Sequence, residues 1–90
     1  MLVLPHELTH DQAPACVRML AQGLRCDPAA TVVADASALE KFDSSALAVL
    51  LECRREGLAM GKTLAVKGLA PRLRALAGLY GVADLLPQAT

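Results

Sequence analysis

The sequence predicts a single small α/β domain in which helices flank a mostly parallel sheet of about four strands. Its 90 residues leave room for one hydrophobic core, so we treat residues 1–90 as one domain. Short apolar runs alternate with longer segments whose apolar residues recur at helical spacing. The links between these segments are short, which favours crossover connections and therefore parallel strands.

The first strand is predicted over Met1–Leu8, where Pro5 favours an edge position or a kink because it lacks a backbone donor. A helix is then predicted to start after the capping residues and proline of the 9–14 segment and to end near Arg25. Its apolar face is formed by Cys16, Val17, Leu20, Ala21 and Leu24. Strand and helix together give the first β–α unit.

The second unit begins with Thr31–Ala34, a β-branched run that is typical of a central strand buried on both faces. A connector containing Leu39, Lys41 and Phe42 leads to the second helix. This helix is predicted to begin at the Asp-Ser-Ser turn, Asp43 to Ser45, and to end near Met60 and Gly61. Its stripe is formed by Leu47, Leu50, Leu51, Arg54 and Leu58.

The third unit is the strand Thr63–Val66 followed by a helix with Pro71 near its first position. Gly81 is expected to end this helix, and the apolar tail over residues 82–87 is expected to pack back on the domain. The inner face of the helix is predicted at Leu73, Leu76, Ala77 and Tyr80.

Composition excludes several classes of function. The formal charge is zero, and the chain has no Trp, one Phe and one Tyr, so it lacks the basic and stacking surface that nucleic acids require. No apolar run reaches the roughly 18 residues of a membrane span, and no signal peptide is evident at the N-terminus. We therefore expect a cytoplasmic protein without membrane insertion, and the scattered cysteines and histidines predict neither a metal nor a cofactor.

The Asp-Ser-Ser turn is the main candidate site. A helix N-terminus presents unpaired amide donors and partial positive charge. If Ser44 is the N-cap, its hydroxyl bonds a backbone N–H and Ser45 falls at the first helical position, where a phosphate is favoured and changes the surface that a partner contacts. A well-capped helix without any further function is the alternative. A catalytic combination of His10, Asp35, Asp43 and Ser44 is disfavoured, since no histidine is placed to activate Ser44.

Three blocks resemble the STAS family, named for sulfate transporters and anti-sigma factor antagonists. They are Val32-Val33-Ala34-Asp35-x-Ser37-x-Leu39, the stretch from Phe42 through Leu51, and Gly61-Lys62-Thr63-Leu64. The likeness extends from about Leu4 through Pro87. The resemblance implies a compact domain with a sheet of about four strands and flanking helices. Such a domain binds partner proteins and does no chemistry of its own.

The ending from Leu76 to Pro87 is similar to the MlaB branch of this family, whose members cap the cytoplasmic ATPase subunit of an ABC phospholipid transporter at the inner membrane. In that branch a functional threonine matches Ser44 by position. The Ser44-Ser45 pair itself is closer to the anti-sigma factor antagonists, in which the serine matching Ser45 is phosphorylated by a partner kinase. Ala46 departs from the glycine that is usual in both branches.

Two partners follow from this resemblance: a transporter ATPase or, alternatively, an anti-sigma factor serine kinase. In either case the binding surface is expected at Lys41, Phe42, Asp43, Ser44, Ser45, Ala46 and Arg72. Ser45 and Ser44 are the candidate phosphorylation sites.

Overall fold

The computed structural model describes residues 1–89, which form five short strands and three helices in alternating groups. The strands are β1 (Leu2–Val3), β2 (Glu7–Leu8), β3 (Thr31–Asp35), β4 (Lys41–Phe42) and β5 (Thr63–Lys67). The helices are α1 (Ala13–Cys26), α2 (Ser45–Ala59) and α3 (Pro71–Leu79), and a short 3-10 turn, Ala83–Leu85, follows. The predicted α/β class is confirmed.

The main sheet is parallel, with the strand order β1-β3-β5. The C-terminal tail extends this sheet beside β5, because Val66 N–H donates to Pro87 O at 2.8 Å and Ala89 N–H donates to Val66 O at 2.8 Å. The tail therefore adds a short fourth segment to the main sheet, and this segment pairs with β5 through a single parallel bridge between Gln88 and Val66. β2 and β4 form a separate parallel pair.

Two parts of the strand prediction are wrong. The segment Met1–Leu8 is two strands in different sheets, divided at Pro5, rather than one strand. Lys41 and Phe42, predicted in a connector, form β4 and pair with β2. A strand of two residues is too short to show alternation, so its pairing depends on where the chain returns in space.

Within residues 1–89, one face of the main sheet is buried and the other is partly exposed, which contradicts the prediction that β3 is buried on both faces. Val32 and Ala34 are buried, whereas Val33 is half-buried and Thr31 is exposed. The neighbouring strands follow the same alternation in register. Helices α1 and α2 pack against each other and against the strands, and they cover this one face.

α2 turns a different side inward from the predicted stripe. Leu47 and Leu50 are buried as expected, but Leu58 is 47% exposed. The buried side of α2 also includes Ala46, Cys53 and Gly57, which the apolar stripe did not contain. The helix is therefore rotated about its axis relative to the prediction.

The predicted ends of α2 and α3 are confirmed. Gly61 and Gly81 follow the helices in the left-handed region, with φ of +75° and +72°, and Pro71 opens α3. Leu86 in the tail is buried, as the packing of the tail on the domain requires. Tyr80 is 59% exposed, so its predicted inward position is wrong; α3 ends at Leu79, and Tyr80 lies in the turn beyond it.

Candidate functional site

The candidate site lies at the carboxyl-terminal edge of the parallel sheet. β3 ends at Asp35 and β5 at Lys67, and the loops that follow lead to the N-termini of α2 and α3. In open parallel sheets, binding sites form at this edge because successive loops converge there. The Asp-Ser-Ser turn and the start of α3 therefore belong to one end of the molecule.

Asp43 stabilises the turn by accepting two backbone hydrogen bonds. Its Oδ1 accepts a hydrogen bond from Ser45 N–H at 2.8 Å, and its Oδ2 accepts one from His10 N–H at 3.2 Å. The first bond caps α2, and the second ties the turn to the loop before α1. Hydrogen bonding by the Ser45 amide, with a smaller contribution from His10, lowers the pKa of the Asp43 carboxyl.

The predicted capping role of Ser44 is wrong. Ser44 is the N-cap residue of α2, but within residues 1–89 its hydroxyl makes no capping hydrogen bond. Its backbone is already close to helical, with φ −63° and ψ −16°, whereas a capping side chain normally stands on extended backbone. Asp43 supplies the acceptor one residue earlier. Ser44 therefore lies exposed at the surface, and its hydroxyl takes no part in capping α2.

The residues predicted to form the binding surface differ in their exposure to solvent. Lys41 and Ser44 are exposed, and Phe42 and Ser45 are half-buried. Ala46 is fully buried in the core. A partner can therefore reach the turn from Lys41 to Ser45, while Ala46 serves to anchor the first turn of α2.

Arg72 connects α3 to the turn. Its guanidinium carbon lies 4.6 Å from the centroid of the Phe42 ring, within the range of a cation–π contact. Beside it is an open depression of about 500 Å³ lined by Leu39, Glu40, Phe42, Ala70, Pro71 and Arg72. Sequence reasoning placed Phe42 and Arg72 on one surface but did not find this depression, which depends on the loop after β3 meeting the loop after β5.

Two polar side-chain pairs border the turn, one between β2 and β4 and one between the residues that precede these strands. Lys41 Nζ lies 3.8 Å from Glu7 Oε1, and His6 Nε2 lies 2.9 Å from Glu40 Oε2. These side chains are well exposed, so the pairs add little stability. The Lys41–Glu7 pair places two opposite charges beside the candidate surface.

Asp35 has a structural role like that of Asp43. Its Oδ1 accepts a hydrogen bond from Ser37 N–H at 2.9 Å, and hydrogen bonding by Ser37 lowers the pKa of the Asp35 carboxyl. His10 meets Asp43 through its backbone amide. Both carboxylates are thus engaged by backbone donors, which is the geometry of turn and helix caps.

Asp43→Asn is expected to destabilise the protein at neutral pH, because the charged carboxylate is the stronger acceptor for the Ser45 amide. The folded pKa of Asp43 is depressed, so its contribution is present above the unfolded value of about 3.9 and is lost as the pH falls through the folded value. The difference in melting temperature between wild type and variant should therefore shrink in acid.

Thermal unfolding followed by circular dichroism between pH 7 and pH 3 measures this difference. Asp11→Asn is the control, because Asp11 is exposed and its carboxylate accepts no hydrogen bond from the part of the chain that the structure describes. If the difference in melting temperature between wild type and Asp43→Asn did not change with pH, the charged Asp43 carboxylate would not be the stabilising acceptor.

The fold is that of a small α/β domain whose exposed turn lies at the carboxyl edge of the sheet. A family model described as "Mlab, STAS domain" matches residues 1–87. The chain belongs to the STAS domain family. Proteins with this domain are generally binding and regulatory modules.

A solved structure supports the fold independently. The anti-sigma factor antagonist SpoIIAA in its unphosphorylated form matches with a TM-score of 0.74 and 20% sequence identity, covering 98% of this chain and 76% of that chain. Comparison with the curated proteins gives no match. At this identity the likeness establishes the fold, and the predicted STAS-like architecture is confirmed.

None of the helices within residues 1–89 has the length and apolar character needed to cross a membrane.

Proposed function

We propose that this protein is a non-catalytic cytoplasmic subunit that binds the ATPase of an ABC phospholipid transporter and stabilises or regulates it. It would associate peripherally with an inner-membrane complex that maintains the lipid asymmetry of the outer membrane. The observation that carries this proposal is the match over residues 1–87 to the family model described as Mlab.

The geometry of the turn supports a docking role. Asp43 fixes the backbone through two amides, which leaves Ser44 exposed on a rigid support. Arg72 stacks on Phe42 and widens the same surface toward α3. A standard interface needs about 800 Å² from each partner. One face of this domain suffices, since its total accessible surface is 5057 Å².

Affinity capture from membranes of the native host tests the proposal. The wild-type protein should recover an ABC ATPase subunit, and binding to that purified subunit should weaken by about tenfold or more for Ser44→Glu, which puts charge and bulk at the centre of the surface. Arg72→Ala should also weaken binding, because it removes the guanidinium stacked on Phe42.

Arg25→Ala is the matched control. Arg25 is an exposed arginine in the last turn of α1, at the opposite end of the strands. Recovery of an anti-sigma kinase without an ATPase, or equal losses for Arg25→Ala and Arg72→Ala, would contradict the proposal.

A second candidate is an anti-sigma factor antagonist controlled by phosphorylation of Ser45. Ser45 is the first residue of α2, where the helix dipole favours an anion. Its amide bonds Asp43 at 2.8 Å, so a phosphate on Ser45 would repel that carboxylate and alter the turn. Incubation with the host's anti-sigma kinase and ATP, followed by mass spectrometry, should then place a phosphate on Ser45 in wild type and none in Ser45→Ala. An unmodified Ser45 in wild type rules this candidate out.

A further inference from the structure

We draw no further inference here: the strongest candidate, the apolar groove of about 220 Å³ between the first half of α1 and the segment that joins β1 to β2, lined by Pro5, Glu7, Gln12, Ala15, Cys16 and Met19, carries none because nothing within the described residues 1–89 shows what covers it.

Discussion

Leu50→Ala is expected to lower the free energy of unfolding by about 2 to 5 kcal/mol. Leu50 is 0% exposed and lies on α2 at the centre of the core. The cost combines the lost burial of the side chain with the cavity that the rigid surroundings leave behind. A domain of this length has a total stability of roughly 5 to 13 kcal/mol, so this single change removes a large part of it.

Leu58→Ala is the matched control because it makes the same chemical change on the same helix. Leu58 is 47% exposed, so its truncation should cost well under half of the Leu50 effect. Urea unfolding followed by circular dichroism measures both free energies. Equal losses would show that α2 faces the core with the side predicted from its apolar stripe, and not with the side seen in the structure.

The difference between Leu50 and Leu58 shows where sequence patterns reach their limit. Apolar spacing correctly predicted α2 and its ends, because helix periodicity and a left-handed Gly61 are local signals. The rotation of the helix about its axis is not local. It depends on how α2 packs against α1 and β5, and small buried residues such as Ala46, Cys53 and Gly57 carry little weight in a stripe that bulky leucines dominate.

The candidate site shows the same division between local and distant information. The position of the Asp-Ser-Ser turn at the start of α2 followed from the sequence. The sequence predicted Ser44 as the capping residue, but in the structure Asp43 has this role. Backbone geometry decides which side chain can reach the amides. The stacking of Arg72 on Phe42 joins parts of the chain 30 residues apart, and no local pattern predicts such a contact.

Gly68→Ala is expected to destabilise the protein by more than about 2 kcal/mol, for two additive reasons. Gly68 has φ +69°, a left-handed conformation that costs a residue with a Cβ about 1 to 2 kcal/mol. An added Cβ would also clash with Ser37 Oγ and lie 3.2 Å from Ser37 Cα. The hydroxyl can rotate away, but the backbone of the loop after β3 has to move.

A double-mutant cycle with Ser37→Gly isolates the contact with the Ser37 side chain, since it removes Oγ and Cβ but leaves the backbone strain at position 68 and the contact with the Cα of residue 37. Gly81→Ala is the matched control, because Gly81 has φ +72° and an added Cβ there would meet no atom of residues 1–89 within 4 Å. Gly68→Ala should therefore cost more than Gly81→Ala, and Ser37→Gly should recover the part of the difference that comes from the Ser37 side chain. Equal costs would mean that the close approach of the two loops does not restrict position 68. A larger cost for Gly68→Ala, reduced by Ser37→Gly, would show that the loop after β3 packs against the loop after β5 at position 68.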